Sequence, residues 1–109
     1  MRKNELCMFG HRFSEERGRR EVGRARLYLP ENDLHDRPYG LLEDVWVDMV
    51  HRHEGIGGEL VSAVIASARE EGCYKLIATS RNDGTRDAVH KWYTRLGFKE
   101  WGTEFRMDF

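Results

Sequence analysis

Two short segments rich in strand formers, Glu5 to Phe13 and Glu21 to Leu29, flank the charged stretch Ser14 to Arg20, which contains Gly18. The pattern predicts a β-hairpin whose charged middle is a solvated turn. Pro30, Asn32, Asp33 and Asp36 through Pro38 mark an irregular loop. From Leu41 to Val50 the chain is almost continuously apolar through Leu42, Val45, Trp46, Val47 and Met49, as in a central strand covered on both faces. Alternation along that strand sets Glu43 with Val45 and Val47, and Asp44 with Trp46 on the opposite side. Ile56, Leu60, Val61, Val64, Ile65 and Ala68 then follow the three-four spacing of one helical face, and Gly72 stands where a helix would stop. Tyr74 to Thr79 reads as a buried strand, and Val89, Trp92, Tyr93 and Leu96 as a second helix ended by Gly97. Phe98 to Phe109 completes the pattern as one or two short strands around Gly102.

This order predicts an α/β (α+β) domain: a mixed, mostly antiparallel central sheet with at least one parallel, helix-crossed pair. At 109 residues the expectation is one domain over 1–109. A formal net charge of −1 removes the simplest argument for nucleic acid or an anionic membrane as partner. The only basic cluster, Arg17, Arg19, Arg20, Arg24 and Arg26, is interrupted by Glu15, Glu16 and Glu21. A solvated turn suits this stretch better than a basic-hairpin nucleic-acid binder, which would bind with strong salt dependence. Cys7 and Cys73 lie far apart, no apolar leader opens the chain, and no apolar run approaches the ~18 to 20 residues of a membrane span, so the expectation is a soluble cytoplasmic protein with free thiols.

The junction between the central strand and its helix carries the candidate chemistry. Arg52, two residues, Gly55, one residue, Gly57 and then Gly58 place glycines where a strand turns into a helix, so backbone N–H groups can approach an anion and the helix N-terminus adds partial positive charge. No Gly-Lys-Ser or Gly-Lys-Thr follows, and the glycine spacing does not fit a dinucleotide fingerprint, which excludes both nucleotide motifs. The stretch Val45 to Gly58 resembles the acyl-CoA-binding segment of the GNAT superfamily of acetyl-CoA-dependent N-acetyltransferases, whose signature is Arg or Gln, two residues, Gly, one residue, then Gly or Ala. The resemblance continues through Gly72-Cys73-Tyr74-Lys75 and Trp92-Tyr93-Thr94-Arg95-Leu96-Gly97-Phe98, covering Leu41 to Phe98.

It implies a GNAT-like fold in which the sheet splays beside the central strand, and acetyl-CoA as cosubstrate. Backbone of Arg52, His53, Glu54, Gly55, Ile56, Gly57 and Gly58 would hold the pyrophosphate, and backbone of Val45, Trp46 and Val47 would face the pantetheine. Tyr93 takes the position of the tyrosine that protonates the leaving thiolate beside the cofactor, though its helical spacing equally suits a core tyrosine. Glu43, acting through water, is the favoured base, with Asp44 the alternative. Arg86 stands where relatives carry a cofactor-contacting asparagine. Two departures are Glu54, whose charge would oppose a phosphate unless directed to solvent, and Met49 in place of a frequent proline.

His51, His53 and Glu54 lack third and fourth ligands at a recognisable spacing, so no metal is expected. His90 and Lys91 read as solvated, and Cys73 as packing. The two helices that the family carries between its first strands are missing, leaving the loop Pro30 to Gly40, the central strand and the terminal strands, or a second subunit, to form the acceptor groove. Trp46, Trp101 and Phe109 motivate a homodimer. The acceptor is a small-molecule or peptide amine, and Glu43, Asp44 and Asp48 favour a cationic one. Leu42-Glu43-Asp44-Val45 and Gly72-Cys73-Tyr74-Lys75 resemble glucosamine-phosphate acetyltransferases within the superfamily, while the missing helices argue against carrying that substrate over. A non-catalytic acyl-CoA-binding module is the competing class.

Overall fold

The computed structural model describes residues 1–109, which fall into two compact units, Met1–Ala78 and Thr79–Phe109. In the first, β1 (Phe9–Arg17), β2 (Arg20–Leu29), β3 (Gly40–Val47) and β4 (Leu76–Ala78) form one sheet in the order β1-β2-β3-β4. The β1–β2 and β2–β3 pairs are antiparallel, and β3–β4 is parallel, crossed over by α1 (Ile56–Glu70). This is the expected α/β architecture with a mixed sheet.

The hairpin differs from the expectation in one respect. Its strands continue through the charged stretch, with an irregularity in register between Glu15 and Glu16, to a tight turn in which Gly18 has φ of 66° and Arg17 faces Arg20. Charged residues are tolerated in these strands because they pair: Arg12 donates to both oxygens of Glu21, at 2.6 and 2.9 Å, and Arg17 donates to Glu15 at 2.8 Å. No helix stands between β1 and β2.

The core is one face of the sheet against α1. Val22, Ala25, Leu27, Leu29 and Leu42 from the strands meet Ile56, Leu60, Val61, Val64 and Ala68 from the helix, all buried. Complete burial of side chains such as Leu27 or Val64 is worth about 1.5–3 kcal/mol each. The helix comes so close to the sheet that a Cβ on Gly23 would lie 2.8 Å from Ile56 Cγ2. α1 ends where the sequence places its stop. Gly72 has φ of 77°, its N–H donates to the Arg69 carbonyl and the Cys73 N–H to the Ala68 carbonyl, satisfying carbonyls the helix leaves orphaned.

Beyond Val47 the central strand stops short of the expected Val50. Met49–His51 form a 3-10 turn instead, leaving Met49 and Val50 exposed. β4 is also shorter than Tyr74 to Thr79; Tyr74 and Lys75 precede it in a cluster in which the His35 ring stacks on Tyr74 at 3.9 Å and Lys75 Nζ lies over both Tyr39 and Tyr74.

The second unit holds α2 (Asp87–Arg95), capped by Gly97 with φ of 104°. The Phe98 N–H donates to the Tyr93 carbonyl, and the Phe98 ring meets the Tyr93 ring edge-on at 5.4 Å. The strands expected in Phe98 to Phe109 are absent: the segment has no regular structure, and Trp101, Phe105, Met107 and Phe109 are exposed. A strand needs a neighbour for its N–H and C=O groups, and this unit contains none. No helix of the protein is long and apolar enough to cross a membrane.

Candidate functional site

β3 is paired on both edges only over its first residues. Its parallel register with β4 runs Gly40↔Leu76, Leu41↔Ile77 and Leu42↔Ala78, and stops there. From Glu43 to Val47 the edge away from β2 has no strand partner, and of its carbonyls only that of Val47 is taken, by Arg52. The sheet therefore splays beside this strand, and its open edge leads directly into the turn before α1.

At the head of the open edge β3 is kinked. Arg24 faces Trp46 and Arg26 faces Glu43, so Ala25 stands opposite both Asp44 and Val45. This is a β-bulge, and Asp44, with φ of 54°, is the one non-glycine residue in the left-handed region. The extra residue exchanges the faces of the strand. Leu42 is buried on the α1 side, whereas Asp44 bonds Arg24 and Trp46 lies under the Arg24 guanidinium at 4.9 Å, both on the side away from α1. The alternation read from the sequence is thereby corrected: Glu43 shares the helix-free face with Asp44 and Trp46 rather than with Val45 and Val47.

The two carboxylates differ in their partners. Arg24 donates to Asp44 through Nε at 2.9 Å and Nη2 at 3.1 Å, and Arg26 Nε lies 3.5 Å from the same carboxylate. The Arg24 hydrogen bond holds the Asp44 carboxyl below its ordinary value, against the opposing effect of burial, which makes it a poor proton acceptor. The Glu43 side chain is exposed and takes no part in the Arg24 and Arg26 contacts that hold Asp44.

Downstream, the Asp48 N–H donates to the Val22 carbonyl at 2.8 Å, and Arg52 Nε donates to the Val47 carbonyl at 3.1 Å, tying the turn to the end of β3. Gly55 is the N-cap of α1 with φ of 80°, and no side chain caps the helix. The N–H groups of Ile56, Gly57 and Gly58 thus belong to a first turn with no intrahelical acceptor. A Cβ on Gly55 or on Gly58 would meet nothing within 4 Å, so the surface there is open to a ligand. The Glu54 carboxylate pairs with His51 and lies 3.5 Å from Arg17 Nη2, so its charge is matched by its neighbours. His53 is exposed. The donor set suits an extended chain along the β3 edge that ends in an anion at the α1 N-terminus.

The first unit thus brings together Glu43, Val45, Trp46, Val47 and the run Arg52 to Gly58. Arg86 and Tyr93 belong to the second unit, Arg86 as the exposed N-cap of α2 and Tyr93 within its last turn. His51, His53 and Glu54 gather no further donors into a cluster able to hold a metal. Two shallow depressions lie elsewhere, one between β1 and α1 at Phe13, Glu15 and Leu60, the other on α2 at His90, Lys91 and Arg95. Sequence reasoning missed the role of Arg24 and Arg26. The alternation Arg24-Ala25-Arg26-Leu27 does mark both arginines as sharing the face opposite the core.

The family model described as the acetyltransferase (GNAT) family matches residues 2–98. Glucosamine 6-phosphate N-acetyltransferase of Trypanosoma brucei brucei is 33% identical over 90 residues, covering 82% of this chain and 58% of that protein. A probable glucosamine 6-phosphate N-acetyltransferase 2 from Oryza sativa subsp. japonica is 36% identical over 70 residues, covering 64% of this chain and 39% of that one. The chain therefore spans little more than half the length of the longer match and less of the other. Among solved structures, an acetyltransferase of Trypanosoma brucei superposes with a TM-score of 0.79 at 29% identity, covering 94% of this chain and 69% of that one.

Proposed function

Because the chain belongs to the GNAT acetyltransferase family, we propose that it transfers the acetyl group of acetyl-CoA directly to a primary amine. The observation that carries this reading is the open edge of β3 from Glu43 to Val47 running into the uncapped N-terminus of α1. Backbone of Val45, Trp46 and Val47 would bind the pantetheine arm, and N–H groups between Arg52 and Gly58 the pyrophosphate. These are main-chain contacts, so they select the cofactor without specifying the amine.

The acceptor amine attacks the thioester carbonyl, the C–S bond breaks, and the amine's proton leaves while the thiolate gains one. Glu43 serves as base through water, since Asp44 is held ionised by Arg24. Tyr93 serves as the acid. Both curated relatives are named for glucosamine 6-phosphate, which makes a phosphorylated amino sugar the first acceptor to test. The helix-free face carries Glu43 opposite Arg26, and the exposed Glu43 carboxylate is suited to an ammonium.

One observation favours a non-catalytic acyl-CoA-binding module: the Tyr93 ring and carbonyl already serve the cap of α2. The two readings are separated by thiol release from acetyl-CoA, measured over glucosamine 6-phosphate, glucosamine, polyamines and a peptide amine. Tyr93→Phe keeps the ring that the cap uses and removes only the phenol. Thiol release that needs an amine and falls at least tenfold in Tyr93→Phe supports the transferase. Binding of acetyl-CoA with no turnover on any amine overturns it in favour of the module.

A homodimer belongs to the same proposal, supported by the exposed Trp101, Phe105 and Phe109. A monomeric mass by light scattering contradicts it. Pairing of Arg12, Arg17 and Arg24 with carboxylates supports the absence of a nucleic-acid role, and the two thiols, Cys7 and Cys73, suit the reducing cytoplasm.

A further inference from the structure

We propose that the Arg24–Asp44 ion pair is a positioning element of the acyl-CoA site: it holds the kink in β3 and thereby decides which residues of Glu43 to Val47 face the ligand. The proposal rests on the functional reading above and deepens it.

A left-handed residue inside a strand is unfavourable for any side chain, least so for Asn and Asp, and it persists only where neighbours hold it. Here the holding is explicit. Two Arg24 nitrogens meet the two Asp44 oxygens at 2.9 and 3.1 Å, a fork geometry that fixes orientation as well as distance. Arg24 is braced in turn by the Trp46 ring at 4.9 Å, and Arg26 Nε stands 3.5 Å from the carboxylate.

The kink has a definite consequence for the site. In a straight strand Asp44 and Trp46 would share the face of Leu42, beneath α1, because the side-chain period is two. The bulge sends them to the other face and moves Val45 and Val47 with it. It sits two residues past the last β3–β4 pair, at Leu42, where the open edge begins. The parity of the whole ligand-facing run therefore depends on one residue's conformation. Asp44 also opposes straightening by its charge, since a straight strand would carry its carboxylate into the core.

Glycine at position 44 adopts the left-handed region freely, whereas alanine resists it and can enter the core. The experiment compares acetyl-CoA affinity by calorimetry, and kcat against KM on the best amine, in wild type, Asp44→Ala, Asp44→Gly, Arg24→Met and Arg24→Lys. Circular dichroism first establishes which variants fold. Asp44→Ala and Arg24→Met are expected to weaken acetyl-CoA binding about tenfold or more. Asp44→Gly, which enters the left-handed region freely but loses the fork, and Arg24→Lys, whose ammonium lacks it, are both expected to fall between wild type and Asp44→Ala.

Equal affinity in wild type, Asp44→Ala and Arg24→Met overturns the positioning role and leaves the functional reading intact. Asp44→Gly binding as weakly as Asp44→Ala also overturns it, because the backbone conformation at position 44 would then not be what decides binding. No uptake of acetyl-CoA by wild type removes the functional reading, and this proposal with it. If Asp44→Ala does not fold, the Arg24 pair of variants decides the matter alone.

Discussion

Replacing Gly55 by alanine tests the claim that the turn before α1 is built on a left-handed residue. Gly55 has φ of 80°, and a Cβ built there meets no atom within 4 Å, so the whole penalty is conformational and none of it steric. A left-handed alanine costs roughly 1–2 kcal/mol. Lower entropy of the unfolded chain returns about 0.4–1 kcal/mol of that. The net loss is therefore about 1 kcal/mol, or a fall in Tm of roughly 4–8 °C for a domain near this size. Gly58, three residues on, is the internal control. Its φ is not positive and its Cβ also meets nothing, so Gly58→Ala should raise helix stability, by up to about 0.5–1 kcal/mol. Thermal unfolding followed by circular dichroism reads both, and calorimetry with acetyl-CoA reads the companion effect, weaker binding in Gly55→Ala as the N–H groups lose their aim. Gly55→Ala unfolding at or above the wild-type temperature would refute the conformational argument, as would equal destabilisation by the two substitutions.

Further outcomes follow from the same geometry. Leu27→Ala removes a fully buried side chain at the centre of the sheet and should cost about 2–5 kcal/mol, seen as a lower denaturant midpoint. Gly23→Ala presses a methyl to 2.8 Å from Ile56 Cγ2 and should cost about 1–3 kcal/mol, opposite in sign to Gly58→Ala in the same denaturant titration. Asp44 and Glu21 are both held below their ordinary values, chiefly by hydrogen bonds from Arg24 and Arg12. Their contribution to stability is present above the ordinary values of 3.8 and 4.5 and is lost as pH falls through the lowered folded ones. The double variant Asp44→Asn, Glu21→Gln should accordingly lose less stability than wild type between pH 6 and pH 3. Cys7 is exposed, whereas burial pushes the half-buried Cys73 thiol up, so iodoacetamide at pH 8 should label Cys7 first. Equal labelling rates would contradict that difference.

What the sequence made legible was the part that local chemistry determines. The run Ile56, Leu60, Val61, Val64 and Ala68 is the buried face of α1, and Gly72 and Gly97 stand at left-handed helix ends, because periodicity and glycine act within a few residues. The phosphate-type turn could be read for the same reason. The bulge at Asp44 could not: a continuous apolar run with two adjacent carboxylates gives no sign of which residue is doubled, and the answer depends on Arg24 across the ladder. Alternation was therefore right as far as Leu42 and wrong about the company Glu43 keeps. The terminal segment shows the opposite limit, since Trp101, Phe105, Met107 and Phe109 alternate as a strand would, yet pairing requires a neighbour that alternation cannot supply.

The gap beside β3 also bears on how the protein behaves at high concentration. Five consecutive residues, Glu43 to Val47, display a ladder edge that any extended chain could continue, including the same stretch from another molecule. A bent, twisted edge is a poor template for such growth, and an acidic residue at its head repels its own kind. A molecule lodged in the gap would act as a molecular cork, so handling of the purified material, its tendency to cloud on storage and its recovery after freezing should all improve when the gap is filled.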